Sequence, residues 1–168
     1  RRARELHMVR GRIAEYRRRV CAALEAAFAE EHPPGDVAGS FAVGVFITAL
    51  PTLGAGFLVF VVLVALVERI SKLALFASVV VLNPVVKWGV YAASFSLGSV
   101  LLGPVPGATP AEISLSAGPG ILARLLVGNL ILAVVLTVVG YVVVLRLVTS
   151  FRARNVSVSE LLPDVGSK

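Results

Sequence analysis

The sequence has few of the residues that enzyme and metal sites use. Its 168 residues include one cysteine, Cys21, and two histidines, His7 and His32. A single cysteine excludes an internal disulfide and an all-cysteine metal site, and we expect Cys21 to be a buried apolar contact. Neither histidine stands near carboxylates at a spacing suited to a metal or a general base. We therefore predict no catalytic residue, no metal and no cofactor, and we do not expect an enzyme.

Charge is also scarce, at 15% of residues against 57% hydrophobic. A soluble domain usually carries about 25% charged residues. No Asp, Glu, Lys or Arg occurs in 37–67 or 125–145, and Lys87 is the only one in 73–102. Apolar runs of about 18 or more residues are typical of membrane-embedded segments. The sequence predicts an all-α, polytopic membrane protein.

Residues 1–32 form the first predicted unit, a basic amphipathic helix. Eight of the 16 Lys and Arg residues lie in its first 19 positions. Apolar residues recur at three- and four-residue steps from Leu6 to Phe28, which places them on one helix face. Such a helix suits the membrane interface. Alternatively, its apolar face packs on the protein's own cytoplasmic surface or on a neighbouring subunit. No nucleic-acid-reading motif is present, so we expect no nucleic-acid partner.

The second predicted unit, 33–149, is a membrane domain whose first two apolar blocks are broken by proline. Block 37–67 would be about 46 Å long as one helix, against a hydrocarbon core of roughly 30 Å. Pro51 divides it into halves too short to span comfortably, which favours a re-entrant hairpin. Block 73–102 is predicted to break at Asn83-Pro84, because Asn is a preferred N-cap and Pro suits the first helical position.

The remaining segments complete the predicted order along the chain. Residues 103–120, rich in Gly, Pro and Ser, form an extracytoplasmic loop, and 121–148 cross the membrane once. Residues 150–168 form a cytoplasmic tail. With a hairpin in 37–67, fourteen of the sixteen Lys and Arg residues lie on one side, and only Lys87 and Arg124 remain. Because Lys and Arg beside spans stay in the cytoplasm, we predict both termini in the cytoplasm and location in the cell membrane.

A resemblance to a known family rests on the order and spacing of several short motifs. They are Pro34, Ala38 to Phe46, Leu50-Pro51-Thr52-Leu53-Gly54, Asn83-Pro84, the Tyr91 to Gly98 segment, Gly128-Asn129 and Gly140-Tyr141. Residues 33–103 with the third block resemble the prokaryotic membrane family called domain of unknown function 2062. Ile70-Ser71-Lys72 departs from that family, which often has an Asn after the basic residue. The resemblance implies a membrane-embedded module and gives no reaction. Some relatives are joined to glycosyltransferase domains, which hints at lipid-linked sugar or envelope chemistry.

The two helix breaks are the candidate functional site. Interrupted segments in two parts of a chain are a sequence indication of a transporter-like binding site. Helix N-termini that begin near such breaks present free N–H groups and a positive dipole end, which suit a phosphate or carboxylate. The predicted ligand-binding residues are Pro51, Thr52, Gly54, Asn83, Pro84 and Lys87. The alternative is that the prolines only bend helices, that Asn83 caps locally and that Lys87 extends to an interface.

Two functions follow from these alternatives. The first is a small transporter or flippase-like protein that binds an anionic lipid or a lipid-linked phosphate. The second is a non-catalytic membrane subunit or scaffold of an envelope-assembly complex. We also expect a homo-oligomer, because three short blocks cannot easily surround a polar cavity and shield two backbone breaks from lipid. Arg124 is predicted to anchor the third block at the outer interface.

Overall fold

The structure, a computed structural model, describes residues 2–52, 55–105 and 118–154, and its described side chains lie between Val9 and Ala153. Gly54, most of the predicted 103–120 loop and most of the predicted tail lie outside the described residues. The described chain is all-α. Its helices are α1 (Arg2–Ala29), α2 (Pro34–Ala49), α3 (Ala55–Leu66), α4 (Lys72–Val81), α5 (Pro84–Leu102) and α6 (Gly118–Arg154).

The predicted interruption at Pro51 is present and has a local cause. Leu50 has φ −68° and ψ 149°, and this extended conformation ends α2. A residue before proline is driven out of the helical region by the proline ring. The 16 residues of α2 and the 12 of α3 therefore extend about 24 Å and 18 Å. Their re-entrant arrangement in a membrane stays a prediction.

The predicted break at Asn83-Pro84 is also present, with the predicted capping geometry. The side-chain Oδ1 of Asn83 accepts a hydrogen bond from the backbone N–H of Val86 at 3.0 Å, and Pro84 is the first residue of α5. Ser71 caps α4 in the same way, since its Oγ accepts from the N–H of Ala74 at 3.0 Å. Each cap satisfies a helix N–H that has no partner within the helix.

The long helix α6 contacts both α2 and α5 and runs antiparallel to each. Gly98 of α5 lies beside Arg124, and Gly128 lies beside Ser94. Further along α6, Gly140 lies beside Phe41 of α2. The main core therefore lies between α2, α4, the second half of α1 and the second half of α6. Its buried residues include Leu24, Phe28, Val37, Phe41, Val45, Ala74, Ala77, Ala133, Val144 and Val148.

Among the described residues, two helices are long and apolar enough to cross a membrane, Pro84–Leu102 and the apolar part of α6. Only 11% and 17% of their most apolar stretches are buried inside the described protein. In α3, no residue is buried, although every residue is apolar or glycine. Long apolar helices exposed in this way are rare on soluble monomers. The composition and the exposed apolar helices together indicate that the protein associates with a membrane.

Part of the first helix packs on the rest of the protein. Its second half contributes Cys21, Leu24 and Phe28 to the core, and Cys21 is the buried contact that we expected. Its first half leaves Val9 and Ile13 more than half exposed, at 53% and 52%. The alternative in which α1 packs on the protein itself therefore applies to its second half. The exposed first half remains available to a membrane interface.

Candidate functional site

The predicted site residues at the first break form local contacts. The N–H of Thr52 donates to the carbonyl of Leu50 at 2.9 Å, and the N–H of Ala55 donates to the carbonyl of Thr52 at 2.9 Å. Pro51 and Thr52 are both half-buried. These hydrogen bonds form a tight turn between α2 and α3.

Lys87, one turn after Asn83, lies in an aromatic environment. Its Nζ is 5.7 Å from the centroid of the Tyr91 ring, a cation–π distance. Trp88 is 74% exposed and packs edge-on against Tyr91 with 6.1 Å between the ring centroids. Lysine, tryptophan and tyrosine together are typical of membrane interfaces. The convergence of Pro51, Thr52, Asn83 and Lys87 on one ligand stays a prediction.

Asn83 lies beside α1, which the sequence did not predict. It lines a cavity of about 650 Å³ together with Gly11, Arg12, Glu15, Tyr16, Arg19 and Val80. The volume is within the range of clefts that bind small molecules, about 300–1,000 Å³. The positions 12, 15, 16 and 19 recur at three- and four-residue steps, so they share one face of α1. This face presents polar and cationic groups to the end of α4.

A hydrogen bond fixes α1 at this position. The hydroxyl of Tyr16 donates to the backbone carbonyl of Val81 at 2.6 Å, which satisfies a carbonyl at the C-terminus of α4. Partial burial raises the pKa of the Tyr16 phenol above its ordinary value, so the phenol stays protonated and remains a donor at neutral pH. Tyr16 thus connects the basic helix to the helix break at residues 82–83.

Glu15 compensates part of the positive charge of α1. It accepts hydrogen bonds from Arg18 at 2.8 Å and from Arg19 at 2.9 Å. Its pKa is lowered, chiefly by the hydrogen bond from Arg19 and then by that from Arg18, so the carboxylate is ionised at neutral pH. Two arginines and one glutamate therefore line the cavity, which leaves one net positive charge.

A second, apolar cavity adjoins the first. It measures about 490 Å³ and is lined by Arg19, Ala22, Ala23, Ala26, Leu73, Phe76 and Val80. Arg19 and Val80 line both cavities, so the two lie next to each other between α1 and α4, and we call them together the α1–α4 groove. Its wall changes from cationic and polar near Asn83 to apolar along Leu73 and Phe76. A groove of this kind matches an amphiphile with an anionic group at one end.

Polar contacts at the other end of α1 hold it to α6 and to the start of α4. Arg152 of α6 donates to the carbonyls of Phe28 at 3.1 Å and Glu30 at 2.7 Å. The hydroxyl of Ser71 donates to the carboxylate of Glu30, and His32 Nδ1 lies 3.4 Å from the same carboxylate oxygen. Ser71 therefore donates directly to an acid rather than to a histidine. This is an anchoring cluster and does not have the arrangement of a nucleophilic triad.

Arg124 is 7% exposed and caps α5, and its predicted position at the outer interface stays a prediction. It donates to the carbonyls of Gly103 at 2.8 Å, Pro104 at 2.8 Å and Leu102 at 3.2 Å, and to its own helix at Gly120 at 2.9 Å. A guanidinium has five donors in a planar fork, which allows it to satisfy several orphan carbonyls at once. The charge is used at the helix end and is not directed at a ligand.

Asn129 is a buried polar residue whose structural role the sequence analysis missed. Its Nδ2 donates to the carbonyl of Ala49 at 3.0 Å and to Ser94 Oγ at 3.3 Å, which ties α6 to the end of α2 and the middle of α5. Its Oδ1 has no hydrogen-bond partner among the described residues. An amide within the uncharged run 125–145 was the available signal, because polar residues inside apolar spans usually have a partner.

The motifs at both helix breaks lie within the region that matches a known family. A family described as an uncharacterized protein conserved in bacteria, domain of unknown function 2062 (DUF2062), matches residues 18–157. The chain belongs to the DUF2062 family. The matched region begins within α1 and continues beyond α6, so in this DUF2062 protein it includes Arg19, α4 and Asn83 but not Gly11, Arg12, Glu15 and Tyr16. No curated protein and no solved structure matches the chain.

Proposed function

We propose that this DUF2062 protein is a polytopic membrane protein that binds an anionic lipid or lipid-linked phosphate, in the manner of a transporter or flippase. The observation that carries the proposal is the position of α1. A helix with five arginines between Arg10 and Arg19 lies along α4, which precedes the break in the second apolar block. Cationic side chains next to apolar, lipid-accessible surface attract the negatively charged groups of membrane lipids.

The proposed orientation has α1 and both chain ends in the cytoplasm. The charge distribution supports it, because Lys and Arg beside membrane spans stay in the cytoplasm. The helix α6 has 21 uncharged residues between Arg124 and Arg146. At 1.5 Å per residue they extend about 31 Å, close to the thickness of the hydrocarbon core. Arg146 and Arg152 then lie on the same side as α1, in agreement with the contact between Arg152 and the carbonyl of Phe28. The short helices α2 and α3 form the proposed re-entrant hairpin.

A scaffold in an envelope-assembly complex is the second candidate, favoured by the surface of α3. All of α3 is apolar, none of its residues is buried, and the helix is too short to span a bilayer. A second copy or another membrane subunit would cover it. We propose a homo-oligomer on this ground. Mass measurement in mild detergent and in nanodiscs tests it, and a monomer in both media contradicts it.

Lipid selectivity tests the proposed function. The full chain is purified in detergent and titrated with fluorescent phosphatidic acid and with phosphatidylcholine carrying the same acyl chains. We expect clear preference for phosphatidic acid, weakened by salt because exposed charges are screened. Equal binding of the two lipids contradicts the proposal. Proteoliposomes with a quenchable lipid then separate the two candidates, because a flippase equilibrates the anionic lipid between leaflets and a scaffold does not.

A further inference from the structure

We propose that the α1–α4 groove binds one phosphate-bearing lipid, with its phosphate at Arg12 and Asn83 and its tail along Leu73 and Phe76. The inference rests on the proposed function and assigns it a site and a ligand class. The proposed anion site is then the α1–α4 groove rather than the two helix breaks. Of the predicted site residues that the structure describes, Asn83 alone lines this groove.

Two donors at the polar end of the groove are available to a phosphate. Arg12 is exposed, and among the described residues no ion pair holds it, whereas Arg19 is bonded to Glu15. The Oδ1 of Asn83 accepts the N–H of Val86, which leaves the Nδ2 amino group as the donor of that side chain. Charge-assisted hydrogen bonds from arginine are among the strongest that a phosphate receives.

The apolar end of the groove fits a ligand with an apolar tail. Leu73 and Phe76 line the adjoining cavity, and their side chains are 39% and 61% exposed. Three alanines, Ala22, Ala23 and Ala26, form the facing wall, and their small side chains leave room beside α4. A free phosphate would contact only the polar end and would leave this apolar surface uncovered. A lipid covers both ends at once, and burial of its tail adds to the affinity.

The net charge of the groove selects the headgroup. Arg12 and Arg19 with Glu15 leave one net positive charge at the polar end, so a lipid with one phosphate and no cationic group complements it. A zwitterionic headgroup would place a second cation near two arginines and lose this complementarity. The inferred ligand class is therefore a phosphate monoester or diester of a long apolar alcohol, glycerolipid or isoprenoid.

The experiment compares variants of the full chain for binding of phosphatidic acid in detergent. Arg12→Gln removes the proposed phosphate contact, and Arg10→Gln is the matched control on the same helix, outside the groove. We expect Arg12→Gln to weaken binding by about 10-fold or more, because a lost charge-assisted hydrogen bond corresponds to that change in affinity. Arg10→Gln is expected to have little effect.

A second pair of variants tests the tail. Phe76→Ala removes an apolar contact in the groove, and Phe57→Ala removes a ring on α3 that is 76% exposed, against 61% for Phe76. We expect weaker phosphatidic acid binding only for Phe76→Ala. Millimolar inorganic phosphate should not displace the lipid, because it lacks the tail. Circular dichroism confirms that each variant is folded before binding is compared.

The outcomes distinguish this inference from the proposed function. If the unaltered protein shows no preference for phosphatidic acid, the proposed function fails. If it shows the preference but Arg12→Gln and Arg10→Gln behave alike, only the groove assignment is wrong. Weaker phosphatidic acid binding in Lys87→Ala alone would then place the anion site at the helix break. If inorganic phosphate displaces the lipid, the site recognises the anion alone. A changed oligomer mass with unchanged lipid binding in Arg12→Gln would show that the groove holds a second copy.

Discussion

At the scale of single residues, glycines decide how closely α5 and α6 approach. A Cβ added at Gly128 would overlap the backbone carbonyl of Ser94, and one added at Gly98 would overlap the carbonyl of Arg124. Small residues of this kind allow close helix packing in membrane proteins. The contact is backbone to backbone, so no side-chain rotation can relieve an added methyl group. The two helices would have to separate.

We expect Gly128→Ala to destabilise the protein by at least about 1–3 kcal/mol, the usual cost of overpacking a core. Thermal unfolding in detergent, followed by circular dichroism, measures the effect. Gly89→Ala on α5 is the matched control, because nothing lies within 4 Å of a Cβ at Gly89. The control should be neutral or stabilising. Equal stability of the two variants would contradict the close packing of α5 and α6.

Arg124 gives a second prediction at this scale. It hydrogen-bonds three carbonyls at the end of α5, so Arg124→Gln should cost about 1.5–3 kcal/mol or more, the range for hydrogen bonds to charged groups. Arg124→Lys should recover only part, since an ammonium lacks the planar fork. Arg146→Gln, at an exposed position of the same helix, is the control for unfolding measurements. A loss of stability in Arg146→Gln as large as in Arg124→Gln would contradict the capping role.

At the scale of helices, the sequence predicted the breaks but not the partners. Pro51 and Asn83-Pro84 act on their immediate neighbours, so their effect is visible in the sequence itself. The contact between Tyr16 and Val81 joins residues 65 positions apart, and no local pattern encodes it. Asn83 was therefore predicted as a site residue, whereas Arg12 and Arg19 appeared only as part of a basic helix. The apolar residues at three- and four-residue steps in α1 predicted an apolar helix face but did not show which residues pack against it.

Tyr16→Phe tests the attachment of α1 to α4. Loss of the hydrogen bond to the Val81 carbonyl should cost about 0.5–1.5 kcal/mol. The folded-state pKa of Tyr16 is raised, so its contribution is fully present below the unfolded-state pKa and is lost as the pH rises through the folded-state value. The unaltered protein should therefore lose stability above about pH 10 more steeply than the Phe variant. Identical alkaline profiles in thermal unfolding would contradict this role of Tyr16.

At the scale of the whole molecule, the fold depends on α6, which contacts α5 with one half and α2 with the other. The all-α class and the apolar blocks followed from the sequence because apolar runs and prolines act over short distances. The role of Arg124 as a buried cap was not predicted, because it depends on where α5 ends in space. The proposed function depends on one property that the packing alone does not determine, the side of the membrane on which α1 lies.

Cysteine accessibility in intact cells measures that side most directly. In a Cys21→Ala background, single cysteines replace Arg10 on α1, Ser114 in the predicted outer loop and Ser159 in the predicted tail, and an impermeant maleimide is added outside. Because the Lys and Arg distribution predicts α1 and the tail in the cytoplasm, only the Ser114 variant should react before lysis, and all three should react after it. Reaction of the Arg10 and Ser159 variants in intact cells, with protection of the Ser114 variant, would contradict the account.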